Sequence, residues 1–143
     1  MVVPNIYRSG YPLPINHPFL TLLRLRSIIY LSDSSPLAST LAWGDLQNPP
    51  ITIHHFRTPP VKEPFVENDA EGMRKALEVI LDKRNHPLLI HSNKGKHRAG
   101  VLAGCVRKLL MGWSLAATFA EYGRYAGEKG EADLEVSFFP CFY

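Results

Sequence analysis

The stretch from Leu88 to Val101, Leu-Leu-Ile-His-Ser-Asn-Lys-Gly-Lys-His-Arg-Ala-Gly-Val, constrains the fold more than any other part of the chain. Pro87–His91 is a brief apolar run that suits a buried central strand. It leads into a polar loop containing Gly95, and from Arg98 onward apolar residues recur at helical spacing (Leu102, Cys105, Val106, Leu109). A strand that turns through such a loop straight into a helix can gather successive backbone N–H groups around one anion. The helix adds its positive N-terminal end, and Arg98 can add a bidentate fork to two oxygens. Gly95 permits a backbone turn that a Cβ would hinder. The plainer alternative is an ordinary crossover with solvated lysines. A Walker A loop is excluded, because Gly-x-x-x-x-Gly-Lys-Ser/Thr is absent.

The remaining pattern supplies the other layers. Ile6–Arg8, Ser27–Leu31 and Ile51–Phe56 read as short strands. Helical patterns cover Pro18–Leu25 with Asn16 as a cap, Pro36–Trp43, and the run from Asp69 to Lys83-Arg84 with Asp69 or Asn68 at its start. Gly112-Trp113 breaks the helix after Arg98, Ser114 caps the next, and a last short helix is expected over Ala132–Phe138. Strands alternating with helices predict an α/β fold: a short, mostly parallel sheet of four or five strands covered on both faces, with the anion loop at the carboxyl end of Pro87–His91.

The 143 residues suit one domain, 1–143. Net charge is only +3, too weak a signal to imply nucleic acid as a partner. No apolar stretch approaches the roughly 20 residues of a membrane span, and residues 1–15 lack a signal-peptide pattern, so a soluble, cytoplasmic protein is expected. Two cysteines, Cys105 and Cys141, lie outside any CxxC or Cys/His cluster, which argues against a metal site or a disulfide framework. Cys105 reads as a buried thiol on the apolar helix face, in a reducing compartment.

With His91, Ser92 and Arg98 in register, the loop resembles the His-Cys-x5-Arg loop of protein tyrosine and dual-specificity phosphatases. It is closer still to the plant-and-fungal atypical dual-specificity phosphatases, including the fungal oxidant-induced cell-cycle arrest proteins. The resemblance extends through Ile6–Pro12, Leu25–Leu31, Lys62–Val66, Asn85–Pro87, Gly104–Lys108 and Glu121-Tyr122. It implies the three-layer cysteine-phosphatase fold, with no metal and no cofactor. In the implied chemistry a thiolate attacks phosphorus, loop amides and Arg98 hold the phosphoryl group, and water then releases phosphate. The implied phosphate-binding residues are Ser92, Asn93, Lys94, Gly95, Lys96, His97 and Arg98, with His91 ordering the loop. The implied ligands are inositol pyrophosphates or phosphoproteins, and related phosphatase-like subunits are the implied partners.

This sequence departs from the family at the nucleophile, where Ser92 stands in place of cysteine. A serine hydroxyl is weak without a base to activate it, and the family's histidine orders the loop instead of taking the proton. Ala99 stands where the family carries Ser or Thr. Little or no turnover is expected, whether the chain is a natural pseudophosphatase or an engineered Cys→Ser trap. A non-catalytic scaffold subunit that binds active relatives or phosphorylated partners is the alternative. Asp69 is the candidate general acid, with helix capping as its competing role. Lys94, Lys96 and His97 suit a highly phosphorylated ligand. Arg8, Arg57 and Lys62 could extend that basic rim. His54 and His55 receive no role.

Overall fold

A computed structural model describes residues 1–58 and 70–127. Four parallel strands form one sheet: β1 (Ile6–Ser9), β2 (Ser27–Leu31), β3 (Thr52–Phe56) and β4 (Leu88–Ser92), in the order β1-β4-β2-β3. The two central strands, β2 and β4, are buried at every residue. Being covered on both faces, they are mostly apolar in the sequence, with polar residues only at their ends (Ser27, His91 and Ser92). Their register pairs Tyr30 with His91 and Leu31 with Ser92.

Alternation along the strands divides the core. Ile29, Leu31, Leu88 and Ile90 face one side and pack against α3 (Ala70–Leu81), α4 (His97–Met111) and α5 (Leu115–Ala126). Ile28 and Leu89 face the other, with Leu20 of α1 (His17–Leu22) and Trp43 of α2 (Ala38–Asp45). The sheet is thus the middle of three layers, as expected from the strand and helix patterns.

Several boundaries move for local reasons. α1 stops at Leu22 because Arg24 takes a left-handed φ of 49°, which turns Leu25 into the core. Asn16 does not cap it through its side chain; its Oδ1 accepts from the Leu13 N–H instead. α2 begins two residues after Pro36, with Leu37 still extended. α3 ends at Leu81, and Asp82 caps a separate 3-10 turn over Lys83–Asn85. Ser114 caps α5 as expected, accepting from the Ala117 N–H at 3.2 Å. The helix expected over Ala132–Phe138 lies outside the described residues, as do Asn68 and Asp69.

Cys105 is fully buried, but it is not a free thiol: it is disulfide-bonded. Two cysteines far apart in sequence carry no spacing signal for such a bond. The chain's other cysteine, Cys141, lies outside the described residues. Among the described residues no helix is long and apolar enough to cross a membrane.

Candidate active site

The loop between β4 and α4 lies at the carboxyl end of one of the two fully buried central strands. Its backbone is held from outside. The Asn93 carbonyl accepts from the Tyr11 N–H at 3.2 Å. The Gly95 carbonyl accepts from Arg8 Nε and Nη2 at 3.1 and 2.9 Å, and the Lys96 carbonyl from Arg8 Nη2 at 3.0 Å. In a trans peptide the N–H of the next residue points opposite to the carbonyl. Drawing these carbonyls outward therefore turns the N–H groups of Lys94, Lys96 and His97 the other way, as an anion cradle requires.

Gly95 is the position where the sequence has no freedom. Its φ is +68°, and a Cβ there would fall 2.4 Å from the Ser9 carbonyl oxygen. Its N–H donates to Ser92 Oγ at 3.0 Å. Ser92 is 3% exposed, on the last residue of β4. A group at this position therefore receives a backbone hydrogen bond near the N-terminal end of α4, where the helix favours negative charge.

Arg98, in the first turn of α4, keeps its side chain 13% exposed. Its Nη1 donates to the Thr58 carbonyl at 2.7 Å and to Asp33 Oδ1 at 3.3 Å. Asp33 follows β2 and is half exposed. Its pKa lies below the ordinary carboxylate value, first through a backbone hydrogen bond and then through Arg98.

His91 is buried between two rings, stacked on Tyr30 at 4.6 Å and meeting the edge of Tyr11 at 5.0 Å. Its Nδ1 has no hydrogen-bond partner among the described residues. Burial lowers its pKa to about 4, opposed by a hydrogen bond to the Ser92 backbone. It is a neutral ring at pH 7, packed as part of the wall beneath the loop. Asn93 Oδ1 accepts from Tyr30 Oη at 2.9 Å and from Ser32 Oγ at 3.3 Å, which ties the loop to β2.

The structure brings the sequence-predicted residues from His91 to Arg98 into one loop but separates their roles. The His97 ring is turned toward α5, with Nδ1 3.2 Å from Tyr122 Oη. Lys94 and Lys96 line a cavity on the β1 side of the loop. Arg8, read as part of a basic rim, lies behind the loop and clamps it. His55 stacks on Tyr30 and contacts the Ser32 carbonyl, and Arg57 lines a separate cavity with His55. Lys62 and Asp69 lie outside the described residues. Sequence reasoning missed Asp33, Thr58, Tyr30 and Ser32. The rule that ligands bind beyond the carboxyl ends of the strands could have flagged the β2 and β3 exits.

The model of the Tyrosine phosphatase family matches residues 1–142. The tyrosine-protein phosphatase-like protein OCA2 of Saccharomyces cerevisiae is 42% identical over 134 residues, 92% of this chain and 66% of OCA2. The inositol diphosphatase DSP4 of Arabidopsis thaliana is 44% identical over 129 residues, 90% of this chain and 64% of DSP4. The chain thus spans just under two thirds of these relatives. The solved Siw14 catalytic core superposes with a TM-score of 0.88 at 40% identity, covering 97% of this chain and 82% of that one. The structure of P. aeruginosa TpbA, 24% identical with a TM-score of 0.71, shares the fold alone. With its signature loop, its sheet order and these matches together, the chain belongs to the tyrosine phosphatase family.

Proposed function

We propose that this domain binds a phosphoryl group in the loop from Ser92 to Arg98 and that Ser92 leaves it with little or no phosphatase turnover. The observation that carries this reading is the loop itself. Its backbone is held in an anion-receiving shape by Arg8 and Tyr11, while the side chain at the nucleophile position is a hydroxyl. The family chemistry requires a sulfur nucleophile. The thiolate attacks phosphorus, the bond to the leaving oxygen breaks, and an acid protonates that oxygen. Water then attacks the phosphocysteine and frees the thiolate. A thiol can be ionised beside a helix N-terminus, whereas a serine hydroxyl keeps its proton there. His91 offers no remedy, since its ring is packed between tyrosines and its Nδ1 reaches no hydroxyl. Asp69 remains the proposed acid in an enzyme of this type.

The ligand class we propose is an inositol pyrophosphate, with phosphoproteins second. The relatives named inositol diphosphatases from Arabidopsis thaliana and Oryza sativa, 41–44% identical to this chain, support that order. A second reading, a non-catalytic binding or scaffold subunit, is favoured by Ala99. This residue is wholly buried at the start of α4 and supplies no hydroxyl where the family uses one.

Phosphate release by the protein and by its Ser92→Cys variant, on an inositol pyrophosphate and on a phosphotyrosine peptide, tests the proposal. Turnover by the variant alone is the expected result. Turnover by the unaltered protein would overturn the silencing, and no turnover by either would favour the scaffold reading.

A further inference from the structure

A cavity of about 260 Å³ opens on the far side of the loop, against the β1 edge and α5. Its charged lining is Arg8, Lys94, Lys96, Arg107 and Glu121, with Tyr125 beside them. Arg107 and Glu121 satisfy each other through two hydrogen bonds of 3.1 and 2.9 Å. The other three cations make no ion pair with a carboxylate among the described residues, although the charge of Glu121 is felt at Arg8. The Lys94 and Lys96 side chains make no ion pair or hydrogen bond there.

Arg8 is the informative one. Its Nε and Nη2 are spent on the Gly95 and Lys96 carbonyls, and Tyr125 covers its guanidinium at 4.2 Å. Nη1 donates to nothing among the described residues. A guanidinium taken largely out of water with carbonyls, a ring and no carboxylate in ion-pair contact is an unusual arrangement, since buried charges are normally paired directly.

We propose that this cavity is a second phosphate-binding site, in which a phosphate group is held by Arg8 Nη1, Lys94 and Lys96 on the opposite side of the loop from the first. The inference rests on the reading of the loop as a phosphoryl site only in that the two share a wall. Burial holds the Arg8 pKa below its ordinary value; Tyr125, Glu121 and Tyr122 oppose that only in part, and Arg107 adds to it. An anion in the cavity would relieve what remains of that depression. The occupant is a free phosphate or one arm of a polyphosphorylated molecule whose other arm enters the loop.

Inorganic phosphate and phytate are the probes, titrated by calorimetry, with the Arg8 Nε–H resonance reporting on the cavity. Tyr125→Glu places a carboxylate beside Arg8 from a half-exposed position on α5. Tyr125→Gln removes the ring without adding charge, and Arg98→Ala disables the loop. The protein should bind two phosphates. Tyr125→Glu should weaken the cavity site at least tenfold and the loop site less than twofold, Tyr125→Gln should keep both sites, and Arg98→Ala should lose only the loop site. A phytate affinity that falls at least fivefold in Tyr125→Glu identifies the occupant as an arm of a polyphosphate, and one that does not change identifies free phosphate. A single phosphate site, lost in Arg98→Ala and indifferent to Tyr125→Glu, overturns the second site while leaving the loop reading intact. A site that survives Arg98→Ala and disappears in Tyr125→Glu, with no other, keeps the cavity and sinks the loop reading.

Discussion

Lowering the pH from 8 to 5 should destabilise this domain by about 2 kcal/mol through His91 alone. In the folded state burial depresses the His91 pKa to about 4, whereas an unfolded histidine titrates near its ordinary 6.5. Between those values the unfolded chain binds a proton that the folded chain refuses, so stability rises with pH across the window. The contribution is fully present above about pH 6.5, and it is lost progressively as pH falls toward 4. At pH 5 most of the unfolded chains carry the proton, and a 1.5-unit gap is worth about 2 kcal/mol. His54 is also depressed by burial and adds in the same direction, so the measurement must be a difference. Urea unfolding of the protein and of His91→Asn at pH 5, 6, 7 and 8 supplies it. Asp33, Glu71 and Asp82, whose pKa values are all lowered, are common to both proteins and cancel. The variant should lose the same buried ring stacking at every pH but show a pH 8-to-5 drop smaller by about 2 kcal/mol. Parallel stability–pH curves for the two proteins would refute the argument. They would mean that the ring between Tyr11 and Tyr30 accepts its proton without leaving its place.

Gly95→Ala combines a left-handed φ with a Cβ driven into the Ser9 carbonyl. It should cost on the order of 3 kcal/mol or more by thermal or urea unfolding and abolish phosphate binding; a cost under about 1 kcal/mol would show the loop free to shift. Asp33→Asn removes the carboxylate that shares Arg98 with any incoming anion. Phosphate should bind about two- to fivefold tighter, the size of an exposed ion pair, as read by calorimetry at low salt. Arg107→Met breaks the paired hydrogen bonds to Glu121, whose side chain is 20% exposed, and the contact with Trp113. A loss of about 2–3 kcal/mol is expected by urea unfolding, because a largely buried carboxylate is left behind.

The parts of this fold legible in the sequence are those decided locally. Ser27–Leu31 matches β2 residue for residue, because a central strand of a parallel sheet must be apolar on both faces. Gly112 ends α4 in the left-handed conformation expected of a glycine after an apolar helix. The features missed depend on which strands lie side by side. Asp33 and Thr58 reach Arg98 only because β2 lies between β4 and β3. Arg8 reaches the Gly95 carbonyl because β1 pairs with β4 across more than 80 residues of sequence. A basic residue near the start of the chain looks like part of a rim until that pairing is known. Neither periodicity nor cap signals encode it.

The same pairings bear on what serine at position 92 costs. The loop is held from β1 by Arg8, from β2 by Tyr30 and Ser32 through Asn93, and across the cleft by Arg98 on Thr58. None of these contacts involves the Ser92 side chain, whose one hydrogen bond among the described residues comes from the Gly95 N–H. A cradle ordered by its neighbours does not need its ligand to shape it, so an anion entering it meets little ordering cost. On the proposed reading, oxygen in place of sulfur removes the nucleophile and leaves that preorganisation untouched. On the proposed reading, binding and turnover are therefore separable here by a single atom: Ser92→Cys should change the rate of phosphate release far more than the affinity for phosphate. Equal changes in both would mean that the group at position 92 helps to build the cradle as well as to attack from it.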